Sequence, residues 1–303
     1  MYNCSTELIL VMKRIVFLLI FLISAQLVHA QLVSWRDVLD LETTKSSHHI
    51  PFGTDSLQYG ELWLPGSEDA HTSVIMIHGG CWLAMYPGVE LMNAMAEDLS
   101  SRGFAVWNID YRRIGHPGGG YPGTFLDVAN GADEFIRIAE TFNLPKDRII
   151  AAGHSAGGHL ATWIALRTQL PVESDLYTEN PIHIDAVVSL AGINDLERYA
   201  KYGASPCGEK TVEHLIDAAN RNDPFADTSP SELLPLHIPL VELSAAFDSP
   251  VPPFFGYHFV NDVLQTGGDA DLILLQDAGH YEMIYPPSRE WNIVLEVFET
   301  ILK

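Results

Sequence analysis

Residues 148–160, RIIAAGHSAGGHL, carry a serine between two glycines at the point where an apolar, β-rich run changes into a helical pattern. The residues from Gly153 to Gly157 form the pattern G-x-S-x-G, which is typical of a sharp turn from a strand into a helix. Glycines are needed on both sides because such a turn leaves no room for Cβ atoms there. The turn predicts a rarely populated backbone conformation at Ser155 and lifts its hydroxyl clear of the sheet. Ala156 then begins the helix, and its main-chain N–H is predicted to donate to a negatively charged oxygen formed beside the serine.

A second glycine-rich turn argues against a serine that merely opens a helix. The stretch 75–82, IMIHGGCW, ends an apolar strand in two glycines and a cysteine. Glycine-rich loops in this position present bare main-chain N–H groups to an oxyanion. We expect the N–H groups of Gly80 and Cys81 to act together with that of Ala156, and His78 to brace the loop. The thiol of Cys81 is a weaker candidate nucleophile because it lacks the sharp turn of the serine.

A serine hydroxyl reacts only with a base beside it and a third group that orients the base. Both partners are expected at the ends of later strands, in the chain order serine, acid, histidine. His280 follows the last strand-like run, DLILLQDAG, and Asp248 follows the preceding run, PLVELSA. We therefore predict that Asp248 orients His280 and that His280 is the base for Ser155. Asp195 also follows a strand and stays the alternative acid, whereas Asp277 is predicted to be a solvated turn residue.

The rest of the sequence predicts an α/β fold. From about residue 50 onward, short β-rich runs alternate with helical patterns, which is typical of a mainly parallel central sheet flanked by helices. The runs IPFGTDS and QYGELWLP predict an antiparallel pair before it, and residues 31–303 are predicted to form one domain. The segment 192–234 is too long for an ordinary connection and predicts a small cap insertion over the carboxyl edge of the sheet. The alternative is a surface excursion that does not touch the substrate.

Charge and the first residues bear on partners and location. The chain has 17 Lys and Arg against 39 Asp and Glu, a formal net charge of −22. We expect no nucleic-acid partner, because binding to phosphates depends on clustered basic residues. Residues 1–30 combine two basic residues, an apolar run and the small-residue end Val-His-Ala, which predicts a signal peptide and an exported protein, periplasmic or secreted. The apolar run is about half of the ~20 residues that a membrane span needs, so we expect no stable membrane span after cleavage.

Three cysteines are present, and Cys4 would leave with the signal peptide. Cys81 and Cys207 remain. We expect them to be two separate buried thiols, although the sequence leaves their pairing open because it does not show how close their Cα atoms come.

Six stretches in this order carry a resemblance to a known family: HGGCW, DYRR, GGGYPGTFLDV, GHSAGGHLA, FDSPVP and AGHYEMI. They resemble α/β-hydrolases of the esterase/lipase group with an HGG oxyanion loop, particularly the kynurenine formamidase-like branch. The resemblance covers roughly residues 55–303 and implies the α/β-hydrolase fold, with no metal and no organic cofactor. It implies Ser155 as nucleophile, His280 as general base and then acid, Asp248 as its orienting group, and an oxyanion hole made by Gly80, Cys81 and Ala156. One departure is Ala245, which stands where family proteins commonly carry a glycine three residues before the acid.

These observations predict a serine hydrolase that cleaves a small-molecule ester or amide substrate through an acyl-serine intermediate. Small carboxylic esters are the leading expectation. The alternatives are an arylformamidase, a peptidase, or a non-catalytic binding protein that keeps the fold. The acyl and alcohol groups and the oligomeric state are not predicted, because packing at the cap and pocket walls decides specificity.

Overall fold

A single eight-stranded sheet organises the computed structural model, which describes residues 32–66, 70–203 and 205–303. The strands in chain order are β1 His48–Pro51, β2 Tyr59–Trp63, β3 Thr72–Ile77, β4 Phe104–Ile109, β5 Ile149–His154, β6 Ala186–Leu190, β7 Leu240–Ala245 and β8 Ala270–Leu275. Their order across the sheet is β1-β2-β4-β3-β5-β6-β7-β8. β1 and β2 pair antiparallel at one side, and β3 to β8 run parallel to one another. The predicted mainly parallel sheet with an antiparallel opening pair is confirmed.

Helices cover the sheet. They are α1 Trp35–Leu39, α2 Asn93–Ser101, α3 Gly123–Phe142, α4 Ala156–Ala165, α5 Leu196–Tyr202, α6 Thr211–Leu215, α7 Phe254–Gln265 and α8 Trp291–Thr300. A 3-10 turn, Val89–Met92, leads into α2, and another, Pro230–Leu233, precedes β7. In the described part of the chain no helix is long and apolar enough to cross a membrane. The predicted signal peptide, residues 1–30, lies outside the described residues.

The central strands are buried on both faces, which explains their uninterrupted apolar sequences. Every residue of β3, β4 and β5 is buried. Helices on both faces remove these strands from water, so both sets of alternating side chains are apolar. α4 packs against β5 and β6 and is buried from Ala156 to Ile164. The turn before α4 is therefore held by core packing on several sides.

Parallel pairing brings the functional segments to one edge of the sheet. β3, β5, β7 and β8 point the same way, and Ile77 at the end of β3 is in register with Gly153 near the end of β5. Side chains that follow these strands meet at the carboxyl edge, where open α/β sheets bind ligands. The segment 192–234 leaves this edge after β6 and contains α5, α6 and the 3-10 turn Pro230–Leu233.

Candidate active site

Ser155 lies on a sharp turn between β5 and α4. Its backbone has φ 57° and ψ −119°, a conformation that non-glycine residues rarely adopt. A Cβ at Gly153 would overlap the carbonyl oxygen of Gly157, and a Cβ at Gly157 would overlap that of Ile77. The Ser155 N–H donates to Leu190 O at 2.8 Å, which ties the turn to the neighbouring strand. Glycine is therefore needed at both positions for the steric reason predicted from the sequence.

Asp248 and His280 form a buried pair beyond β7 and β8. The Nδ1–H of His280 donates to Asp248 Oδ2 at 2.7 Å, and the Val251 N–H donates to Asp248 Oδ1 at 2.7 Å. His280 is 7 % exposed and Asp248 is 5 % exposed. The two loops are also joined through their main chains, since the Phe247 N–H donates to Ala278 O at 2.9 Å. In the tautomer that donates from Nδ1, the other ring nitrogen, Nε2, is the acceptor.

The two competing carboxylates occupy other positions. Asp195 caps α5, where its Oδ1 accepts from the Arg198 N–H at 2.9 Å and its Oδ2 from Arg198 Nε at 2.7 Å. Asp277 is exposed in the turn after β8. Of the three aspartates considered from the sequence, Asp248 is the one that the fold brings to His280.

Ser155 and His280 line the same cavity, whose volume is about 60 Å³. Between these two described residues there is no hydrogen bond, so Nε2 of His280 and the Ser155 hydroxyl are both available to a molecule in the cavity. Hydrogen bonds of this kind often shorten only when substrate is bound. Gly80 and Cys81 also line the cavity.

The predicted oxyanion loop, residues 79–83, follows β3, and three consecutive residues in it have positive φ. Gly80 has φ 104°, Cys81 φ 53° and Trp82 φ 56°. Among the described residues, the N–H groups of Gly80 and Cys81 have no protein acceptor. Ala156 is the first residue of α4, and the first N–H groups of a helix have no acceptor inside it. Gly80 and Cys81 thus line the cavity with N–H groups that have no acceptor, and Ala156 directly follows Ser155, which lines it too.

Beneath this loop, His78 joins it to the sheet. Its Nδ1 donates to Gly79 O at 2.8 Å, and its Nε2 lies 3.1 Å from Asp110 Oδ1. Burial alone would raise the pKa of Asp110, but the hydrogen bond and charge of His78, together with Arg113, outweigh burial and lower that pKa. The Tyr111 hydroxyl donates to His78 O at 2.9 Å. His78 therefore has the bracing contacts expected of it.

The expectation of two separate thiols is wrong: Cys81 and Cys207 form a disulfide, with their Cα atoms 5.4 Å apart. The reason lies in the fold, which brings together residues 126 positions apart. Cys207 belongs to the segment 192–234, and its neighbour Pro206 lines the cavity. The disulfide thus links the oxyanion loop to that segment beside the site.

Trp82 gives the loop a second attachment. Its Nε1–H donates to His159 Nδ1 at 3.1 Å, and Nε2–H of His159 donates to Thr228 O at 2.8 Å. Burial lowers the pKa of His159 to about 4, against the opposing effect of its bond to Thr228. A neutral imidazole in one tautomer therefore connects the oxyanion loop, α4 and the segment 192–234.

His154, directly before Ser155, was not assigned a role from the sequence. Its Nε2–H donates to His280 O at 2.8 Å, and the two rings lie 4.4 Å apart. Burial, together with the nearby charge of His280, holds the pKa of His154 well below its ordinary value, although its hydrogen bond opposes this. His154 therefore fixes the main chain of the histidine loop while staying neutral. No sequence signal distinguishes it from a core histidine.

A buried acid lies behind the pair. Glu242 on β7 accepts from the Gly192 N–H at 3.2 Å and from Asn194 Nδ2 at 3.3 Å. Burial raises the pKa of Glu242 to about 8, although hydrogen bonds from Ser189 and the Gly192 N–H oppose the rise. The carboxyl group is therefore protonated in the folded protein near neutral pH, and it holds the first turn after β6.

The remaining walls of the cavity are mostly apolar. They are formed by Trp35, Tyr86, Pro87, Leu91, Pro206, Pro250 and Tyr281. None was singled out as a wall from the sequence, because the wall combines residues from separate segments whose meeting depends on the folded sheet. Across residues 32–66, 70–203 and 205–303, no three His, Cys, Asp or Glu side chains are grouped in a way that could hold a metal ion.

A family of known proteins matches the central part of this chain. Residues 61–245 match the model of the BD-FAE family. No curated protein has a significant sequence match to the chain. Ser155 and residues 79–83 lie inside the matched range, whereas Asp248 and His280 lie C-terminal to it.

Solved structures are similar over most of the chain. A truncated carbohydrate esterase from gut microbiota has 20% identity and a TM-score of 0.67, covering 84% of this chain and 95% of that one. Esterase B from Lactobacillus rhamnosis, inhibited by a tributyrin phosphonate, has 18% identity and a TM-score of 0.73, covering 88% and 90%. An acetyl ester-xyloside bifunctional hydrolase from Caldicellulosiruptor lactoaceticus has 17% identity and a TM-score of 0.65, covering 86% and 98%. These likenesses confirm the predicted α/β-hydrolase fold.

Proposed function

The chain belongs to the BD-FAE family, and from that premise we propose that it is a serine hydrolase that cleaves small carboxylic esters through an acyl-serine intermediate. One observation carries the proposal. Ser155, on a turn with φ 57°, shares a cavity with His280, whose Nδ1 is bound to the buried Asp248 at 2.7 Å. An imidazole whose Nδ1 is bound to a carboxylate, at the same cavity as a serine hydroxyl, can accept the hydroxyl proton at Nε2.

The acylation step follows from these positions. Ser155 Oγ forms a bond to the ester carbonyl carbon while Nε2 of His280 accepts the hydroxyl proton, and the carbonyl π electrons move to oxygen. Main-chain N–H groups of Gly80, Cys81 and Ala156 donate to that oxyanion. One such donor changes turnover by about 10² to 10³. The C–O bond to the alcohol then breaks, and His280 gives its proton to the leaving oxygen.

Deacylation uses the same groups with water. His280 accepts a proton from the water molecule as its oxygen bonds to the acyl carbon, and the oxyanion is stabilised by the same donors. Collapse breaks the bond to Ser155 Oγ, which takes the proton back from His280, and the carboxylic acid leaves. Asp248 holds one tautomer throughout and stabilises the imidazolium that forms in each half-reaction.

The proposal is tested with a short p-nitrophenyl ester and a fluorophosphonate probe. We expect turnover by wild type, labelling at Ser155, and a loss of about 10⁴-fold or more in kcat for Ser155→Ala. Ser73→Ala is the matched control. Ser73 is a buried serine near the N-terminal end of β3, at the sheet edge opposite the cavity, and its Oγ donates to Pro145 O. Turnover that survives Ser155→Ala, or a wild type that is neither active nor labelled, contradicts the proposal.

The substrate panel follows from the similar structures and the resemblance. A sugar acetate and a short triglyceride represent the carbohydrate, acetyl ester and tributyrin chemistry of the similar structures. N-formylkynurenine represents the formamidase alternative, which stays a prediction. We expect hydrolysis of at least one ester. Selective hydrolysis of the formamide alone would move the assignment to an arylformamidase.

Export is part of the proposal. The Cys81–Cys207 disulfide supports it, because disulfides persist mainly in oxidising compartments outside the cytosol. Cleavage near Ala30 is expected, and sequencing the N-terminus of the exported protein tests it. An uncleaved leader on a protein retained in the cytosol would contradict this part.

A further inference from the structure

The N-terminal arm, residues 33–39, reaches the catalytic cavity from outside the part of the chain that matches the family. The matched residues begin at 61, yet Trp35 of this arm lines the same cavity as Ser155 and His280. The arm precedes the first strand of the sheet. The arm thus reaches the site from outside the matched range.

Glu282 attaches the arm to the loop of the catalytic histidine. The Val33 N–H donates to Glu282 Oε1 at 2.7 Å, and the Gly279 N–H donates to Glu282 Oε2 at 2.9 Å. One carboxylate, 5 % exposed, thus holds the arm and the residue before His280 together. The Ser288 hydroxyl donates to Glu282 O at 2.7 Å and fixes the loop on its other side.

Local contacts also order the arm. Ser34 and Asp37 form a capping box at the start of α1. Val38 is 2 % exposed, and α1 packs against the 3-10 turn Val89–Met92, which carries Leu91 of the cavity wall. The Arg36 guanidinium lies 5.1 Å from the centre of the Trp35 ring. Hydrogen bonds at one end and apolar packing at the other thus fix the ring's position.

We propose that Trp35 is a specificity-determining residue that sets how large an ester group the cavity accepts. The inference rests on the proposed esterase function. Trp35 stands with Tyr86, Pro87 and Leu91 as an apolar part of the cavity wall. An indole side chain buries 150–250 Å² when fully covered, so its removal frees far more room than one methylene group occupies. One methylene group in an apolar pocket changes discrimination by about 10- to 200-fold.

The test measures kcat/KM for p-nitrophenyl acetate and p-nitrophenyl octanoate in the full chain. For Trp35→Ala we expect the octanoate-to-acetate ratio to rise by about tenfold or more. Arg36→Ala is the matched control, since Arg36 is an exposed neighbour on the same arm, and it should leave the ratio unchanged.

The outcomes separate this inference from the function on which it rests. A wild type that hydrolyses neither ester and is not labelled at Ser155 overturns both. An active wild type whose ratio is unchanged in Trp35→Ala overturns the inference alone, as does an equal loss on both esters. If Trp35→Ala does not fold, Trp35→Phe decides. It keeps a smaller ring and should raise the ratio by a smaller factor, and no rise overturns the inference.

Discussion

Replacing both cysteines of the Cys81–Cys207 disulfide by alanine should lower both stability and turnover. The bond joins residues 126 positions apart. Cross-linking limits the conformations of the unfolded chain, and for a loop of this length the chain-entropy relation gives about 5 kcal/mol at 25 °C. We therefore expect the free energy of unfolding of Cys81→Ala/Cys207→Ala to fall by up to about 5 kcal/mol.

Turnover should fall for a separate reason. Cys81 holds φ 53°, and its N–H is one of the proposed oxyanion donors. Alanine keeps that N–H but loses the attachment to residue 207, so the loop can relax to a conformation that turns the donor away. Because one donor contributes about 10² to 10³ in turnover, we expect kcat to fall by about 10- to 100-fold with little change in KM.

The assay combines urea unfolding with steady-state hydrolysis of p-nitrophenyl acetate on oxidised wild type, reduced wild type and the double variant. Leu99→Ala is the control, because Leu99 is a fully buried core residue of α2 whose truncation costs about 2–5 kcal/mol without touching the loop. That control should lose stability and keep its kcat in the folded state. A double variant with unchanged unfolding free energy and a kcat within twofold of wild type would refute the reasoning.

Two further predictions follow from the buried carboxyl groups. Asp248→Asn should lower kcat by about 10⁴-fold, because it favours the wrong tautomer of His280. Asp195→Asn should keep most of the activity. If the same ester assay showed the larger loss for Asp195→Asn, Asp195 would be the acid. Glu242→Gln should change how stability depends on pH. The pKa of Glu242 is about 8 in the folded protein and about 4.5 in the unfolded chain. As pH rises through this interval the unfolded chain releases the proton and the folded protein keeps it, so the free energy of unfolding of wild type falls by about 5 kcal/mol in total. Urea unfolding at pH 5 and pH 9 should show the variant gaining on wild type at the higher pH, and an equal difference at both would contradict the prediction.

Local sequence was enough to predict the features that depend on neighbouring residues. The turn at Ser155 needs Gly153 and Gly157 for steric reasons, and both lie in the same short stretch. Parallel strands place their carboxyl ends together, so the residues after β7 and β8 could be expected near the serine without coordinates. Asp248 and His280 come together by this rule.

The features that the sequence did not indicate depend on long-range packing. The disulfide was missed because sequence separation does not report the distance between Cα atoms. α7 was missed although Phe255, Phe259 and Val263 form a buried helical stripe, which was a usable signal. Nothing in the sequence indicated that Trp35 lines the cavity. Its place there depends on the hydrogen bond from the neighbouring Val33 N–H to Glu282, which lies 247 positions after Trp35.

The bond between Cys81 and Cys207 closes part of the chain into a covalent ring, and Ser155 lies on that ring. A single peptide-bond cut between residues 82 and 206 opens the ring but still leaves one molecule. Asp248 and His280 lie outside it. A cut between residues 208 and 247 therefore leaves Ser155 on one chain and Asp248 and His280 on another, with the two chains held together only by non-covalent packing.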